Sequence, residues 1–249
     1  MTVSPIAIVS KCFTDPAPNA QAYTHIIDLT GEVSFDRPAE VFISNTLNIS
    51  LSIAHEAAKH SVKSYIRYLP SFYEHVKDRV YKETDMDGWK PWGTRGVWWH
   101  ETMRAIGSIP NLPLVVVRGA MPYGPGYVRH GLNTPFLLGL VYKHLNEEMK
   151  FIWSPRLRKN TIHSLDWVGG IWATSLWAGE HDRAGLNAAA GVSLPSSDDK
   201  IVETTEGTIK KASGGVLVPV INLVDEADLN MESMSAVIAK VRSSSVRVI

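Results

Sequence analysis

Residues 114–126 read Leu-Val-Val-Val-Arg-Gly-Ala-Met-Pro-Tyr-Gly-Pro-Gly, and this stretch decides how the chain folds. Leu114 to Val117 is an apolar, largely β-branched run closed by Arg118. A run without polar alternation reads as a parallel strand covered on both faces. Tyr123, Gly124, Pro125 and Gly126 then form a turn-prone loop. In open α/β sheets, ligands gather beyond the carboxyl ends of strands. Chemistry is therefore expected just after Arg118.

Working outward, strands and helices alternate. Residues 25–31 read as a buried strand ending in a small-residue turn. Residues 38–60 read as a long helix with Leu47, Leu51, Ala54 and Ala58 on one face. A strand over 62–69, a polar and aromatic excursion over 71–92, and a helix over 96–106 follow. Beyond the loop, Asn133 or Thr134 caps a helix with a Leu137, Val141 and Leu145 stripe. Phe151 to Trp153 reads as a short strand, and residues 160–166 lead into an apolar helix through Trp177. A last strand at 216–223 precedes a helix capped by Asn230. The N-terminal segment 1–22 reads as irregular, with a short strand at 6–9, and 179–213 as a flexible loop. This alternation predicts an α/β fold with a parallel sheet and flanking helices, in a single domain over 1–249.

Composition narrows the partners. Apolar residues are 45% of the 249, charged residues 20%, and the formal net charge is +0. No basic cluster argues for nucleic acid. No run nears the roughly 20 apolar residues that span a bilayer. The single Cys12 fits a reducing compartment, so a cytoplasmic protein with a small-molecule ligand is expected.

The 118–126 segment resembles the R-x-x-x-x-Y-G-P-G stretch of the NAD-dependent epimerase/dehydratase family, the extended short-chain dehydrogenases. Four further stretches match in the same order. Residues 28–32 (Asp-Leu-Thr-Gly-Glu) resemble the family's strand-four turn, with Asn45 at its helix asparagine. Residues 62–66 resemble the strand that carries its active-site Ser/Thr, 161–166 its His-x-x-Asp motif, and 219–225 its late strand. The region 139–153 is similar to fungal members. The resemblance implies a Rossmann-type sheet that binds NAD or NADP, with Thr30, Gly31 and Asn45 on the cofactor. It also implies that the first βαβ units are missing from this chain.

The departures concern chemistry. No G-x-x-G-x-x-G turn is present, although such a turn lets a backbone approach the cofactor pyrophosphate. The family's Tyr-x-x-x-Lys pair falls at Gly93 and Val97 in one register and at Arg95 and Trp99 in another. Its Ser/Thr falls at Leu69 or Pro70, one or two residues before Ser71. In the family, tyrosinate is the acid or base, lysine lowers its pKa, and serine polarises the substrate. Hydride transfer by this chain is expected to be weak or absent.

Candidate acid–base residues are Tyr123, His100, Glu101 and His163. Arg118, Tyr123, Gly124 and Gly126 are candidate substrate contacts. Each has a plain structural alternative. For His100 and Glu101 the favoured reading is a solvated pair on a helix with aromatic core residues. Glu83, Asp85 and Asp87 read as a solvated acidic patch, and Arg118 as a partner for local carbonyls. No ligand spacing suggests a metal. Three functions stay open: a divergent oxidoreductase relative, a cofactor-independent isomerase, lyase or cyclase, and a binding protein that dimerises through an exposed sheet edge.

Overall fold

The computed structural model of the protein describes residues 5–15, 22–70, 73, 81–85, 89–126, 133–196, 202–204, 207–209, 215–227 and 229–243. In chain order the elements are α1 (Pro5–Thr14), β1 (His25–Asp28), α2 (Ala39–Phe42), a π-helical stretch (Ile43–Asn48), α3 (Ile49–Lys59), β2 (Ser64–Pro70), α4 (Gly93–Gly107), β3 (Leu114–Gly119), β4 (Met121–Tyr123), α5 (Asn133–Leu145), β5 (Arg158–Lys159), β6 (Thr161–His163), α6 (Ser164–Ala178), α7 (Arg183–Ala190), β7 (Gly191–Leu194), β8 (Val202–Thr204), β9 (Gly207–Ile209), β10 (Val216–Leu223), β11 (Leu229–Asn230) and α8 (Met231–Ser243). The chain divides into two compact units, one of residues 1–118 with 171–222 and one of 119–170 with 223–249.

The first unit is built on a mostly parallel five-stranded sheet in the order β1-β2-β3-β10-β7. Strands β1 and β2 run parallel, with Asp28 opposite Arg67, and β7 runs antiparallel to β10. Leu114, Val115, Val116 and Val117 are all fully buried, as a strand covered on both faces requires. Leu114 and Val116 share the main core with Tyr65, Leu69, Trp99, Met103, Ile106 and Val218.

The carboxylate of Asp28 ends β1 in this core, 2% exposed. It accepts bonds from the Thr30 backbone N–H at 2.9 Å, the Thr30 hydroxyl at 2.6 Å and the Tyr65 hydroxyl at 2.7 Å. The Arg67 Nη1 pairs with it at 2.9 Å. Thr30 also meets the Ser50 hydroxyl of α3 at 3.1 Å. One charge thus ties two strands, a turn and a helix. A second clamp is Arg183 of α7, which donates to the carbonyls of Gly107, Leu112 and Leu217. These acceptors lie at the end of α4, just before β3 and in β10, and the α4 carbonyl is one that a helix end leaves unpaired.

Three local expectations fail. Residues 5–14 are helical, with Pro5 at the first position, where its missing N–H costs nothing. Residues 179–213 are not simply a loop. Asp182 caps α7 by accepting the Gly185 N–H at 2.8 Å, and α7 leads into β7. Residues 151–153 form no strand, and the pairing falls instead to β5 and β6. The 38–60 helix is present but widens to a π stretch, where buried Thr46 accepts the Glu32 N–H at 3.0 Å.

In the second unit β4 pairs parallel with β6, placing Tyr123 opposite His163, and β5 pairs with β11. Helices α5 and α8 pack closely where Gly139 leaves room for Ile238. Asn230 caps α8 as expected: its side chain accepts the Ser233 N–H at 2.8 Å while Ser233 accepts the Asn230 N–H at 3.1 Å.

Replacing Asp28 with alanine should destabilise the fold by about 3–5 kcal/mol, because Arg67 is left charged in the interior without its carboxylate. Urea unfolding measures this. Removing the exposed Lys59, which pairs with Glu56 at 3.7 Å, should change stability by less than about 0.5 kcal/mol.

Candidate functional site

The residues expected on a cofactor gather around the turn that follows β1. Gly31 has φ +146°, a conformation suited to glycine, and a Cβ there would overlap the Trp99 ring. Trp99 of α4 packs its indole into that space and donates its Nε1–H to the Glu32 carbonyl at 3.1 Å. The Arg67 guanidinium stacks on the same ring, 4.8 Å from its centroid. The Thr30 hydroxyl is engaged by Asp28 and Ser50. Asn45 is exposed on the π stretch, where Ser44 donates to it at 3.0 Å. Hydrogen bonds from Ser34 hold the Glu32 carboxyl below its ordinary range, with Asn45 and Arg37 adding to the effect.

His100 and Glu101 are both buried, so the solvated pair is corrected. His100 Nε2 donates to the Pro195 carbonyl at 2.7 Å, and a neutral ring then accepts the Tyr73 hydroxyl at Nδ1, 3.0 Å away. Glu101 pairs with Arg104 one helical turn on, at 3.3 Å. Arg118 donates to the Asn222 side chain at 2.7 Å and lies over the Trp89 ring at 4.4 Å. Its partner is thus a carboxamide rather than a backbone carbonyl. Glu83 is half-buried and accepts the Asn222 N–H at 3.1 Å, so it is no solvated patch residue. Asp87 lies outside the described residues. Burial raises the Tyr73 hydroxyl far above its ordinary pKa of 10.0, Glu101 adds to this and Arg118 opposes it. Tyr65 is raised likewise, by burial first and by Asp28 second. Tyr73 and Asn222 are absent from the residues singled out in the sequence. Their partners lie 27 and 104 positions away, and no local spacing marks them.

In the second unit, Tyr123 and His163 meet edge to face at 5.4 Å between ring centroids. A Cβ on Gly124, with φ +110°, would strike the His163 ring, so glycine permits this approach. Partial burial raises the Tyr123 pKa, and the charges of Asp225 and Asp166 raise it further. Asp225 itself accepts the Thr161 hydroxyl at 2.8 Å. A cleft of about 280 Å³ runs beside Tyr123, Gly124 and Thr161 to Met234. A second, of about 350 Å³, lies among Met121, Leu138, Phe151, Trp153, Lys159 and Met234. Gly126, at φ +82°, has open space on its Cβ side. Among the described residues no group of His, Cys, Asp or Glu could hold a metal, and no helix is long and apolar enough to cross a membrane.

Solved structures share this arrangement of strands and helices. The enzyme WbmG of Bordetella bronchiseptica, solved with NAD and UDP, superposes with a TM-score of 0.62 over 100% of this chain and 65% of its own, at 13% identity. The fold is that of the NAD-dependent epimerases and dehydratases. A UDP-glucose 4-epimerase of Thermotoga maritima, solved with UDP-glucose, gives 0.60 over 97% of this chain and 67% of its own, at 14% identity. An epimerase of Methanothermobacter thermautotrophicus gives 0.61 over 100% and 64%, at 12% identity. The chain spans about two thirds of the length of these epimerase-fold proteins. No family model matches the sequence, and no curated protein sequence matches it.

The two buried tyrosines set an alkaline limit on stability. Their folded pKa values lie above the unfolded value near 10, so the unfolded chain loses protons first as pH rises. Stability should be level below about pH 10 and then fall by about 1.4 kcal/mol per pH unit for each tyrosine. Urea unfolding between pH 8 and 11 should show this limb, and Tyr65→Phe or Tyr73→Phe should each make it shallower by about 1.4 kcal/mol per pH unit.

Proposed function

We propose that this chain is a divergent epimerase-fold protein of the cytoplasm that binds a small organic ligand and carries out little or no nicotinamide hydride transfer. The observation that carries this reading is the packing of Trp99 against Gly31, with Arg67 stacked on the indole. By resemblance, that turn faces the cofactor, and the Arg95–Trp99 register puts an indole where the family has its lysine. An indole carries no positive charge to lower a tyrosine pKa, and its bulk fills the hollow beside the turn. The residues present do not fit a dinucleotide held in the family's manner.

Titration of the full chain with NADH, followed by cofactor fluorescence, should give no saturable binding up to millimolar concentration. A saturable curve in the micromolar range would overturn the reading.

The grouping of Tyr123, His163 and Asp225 supports a second reading, a cofactor-independent acid–base reaction at the Tyr123 cleft. With its pKa raised, Tyr123 would keep its proton at neutral pH and act as a donor rather than a base. Self-association has separate support. Strand β1 ends the sheet among the described residues, and Ile27 within it and Leu29 just after it are exposed. Equilibrium sedimentation should find a dimer that Ile27→Lys dissociates; a monomer at high concentration would exclude it.

A further inference from the structure

We infer that the larger cleft of the second unit is a site for a hydrophobic carboxylic acid, one acidic head on an apolar body, and not for a nucleotide. The inference is independent of whether NAD binds to the first unit. Residues of β4, α5, the 149–153 segment, β5 and α8 build the cleft. At about 350 Å³ it falls within the range of small-molecule sites, about 300–1,000 Å³.

The lining decides the ligand class. Met121, Met149, Met231 and Met234 contribute polarisable thioethers that mould to an apolar body, and Phe151 and Trp153 add aromatic faces. Met231 and Met234 are buried, whereas Ile152 is 92% exposed and Trp153 half-exposed. The floor is therefore closed and the rim offers apolar surface for a ligand to cover. A nucleobase and ribose carry many donors and acceptors that need partners when desolvated. Among the described residues, Thr134 and Tyr142 supply the only hydroxyls of the lining, and no carboxylate or carboxamide lines it.

Two lysines give the lining its charge. Lys150 is committed: it pairs with Glu148 at 3.4 Å, and both side chains are more than three-quarters exposed. Lys159 differs. Its backbone is fixed by the pairing of β5 with β11, where it faces Leu229. Its side chain is half-buried, and its ammonium lies 5.5 Å from the Trp153 ring centroid with no carboxylate in pairing distance among the described residues. A cation at the edge of an apolar cleft, with no anion of its own, complements one acid group, and the pair is stronger for being partly shielded from water.

Calorimetric titration of the full chain tests this with naphthoate and decanoate, their neutral counterparts naphthamide and decanol, and UDP-glucose. At least one acid should bind saturably, about tenfold more tightly than its neutral counterpart. Lys159→Met should bring the acid down to the level of the neutral compound and leave the neutral compound unchanged. Lys150→Met should change acid binding by less than about twofold, as for a screened surface charge. Leu138→Trp, at a half-exposed position on α5, should fill the cleft and weaken acid and neutral compound alike. Absence of saturation with both acids, equal binding of acid and neutral compound, an unchanged affinity in Lys159→Met, or tighter binding of UDP-glucose than of either acid would each overturn the inference. A fold damaged by Lys159→Met would show as lost binding of the neutral compound, and Lys159→Arg, which keeps the charge, should then restore the acid's advantage.

Discussion

The first unit depends on a single carboxylate buried from solvent. Asp28 receives two hydroxyls, one backbone N–H and one guanidinium, and these come from a turn and a neighbouring strand. A buried charge is tolerable only when such a set of partners surrounds it. The partners fix more than stability. They aim Arg67 at Trp99, and Trp99 in turn closes the space beside Gly31. The character of the turn follows from the end of the strand before it.

The arrangement contrasts two ways of using an epimerase fold. On the first unit's side, polar groups are numerous and mostly satisfied by one another: Tyr73 by His100, His100 by Pro195, Arg118 by Asn222. Mutual satisfaction stiffens a core and leaves few groups for a ligand. The second unit is the reverse. Its clefts are apolar and methionine-rich, and its half-buried Lys159 has no acidic partner among the described residues. The ligand site proposed above lies where the polar groups are few.

Much of the fold is legible in the sequence because it rests on local pattern. The 114–117 run marks a doubly covered strand, and Asn230 marks a helix start through a side chain that reaches only three residues. Short apolar runs mislead in both directions. Residues 6–9 suit a strand as well as a helix, and 151–153 are apolar because they line a cleft, not because they pair. The site is less legible. Tyr123 and His163 are each singled out by a separate local motif, but that their rings meet is visible only in the fold. The Arg183 clamp and the Tyr73–His100 bond carry no local signal, since each joins positions that only the completed fold brings together.

The interleaving of the two units also orders their assembly. The first unit needs residues 171–222 to supply β10 and β7, and the second needs 223–249 to supply β11 and α8. During synthesis the chain must therefore hold β3 without its neighbour β10 while the whole of 119–170 emerges. An apolar strand waiting for a distant partner is slow to be covered and open to wrong pairing. The Arg183 clamp arrives ahead of β10 in the chain, and it already has two acceptors, Gly107 and Leu112, on the part made earlier. It can dock α7 beside the vacant edge and so present the incoming strand to its place.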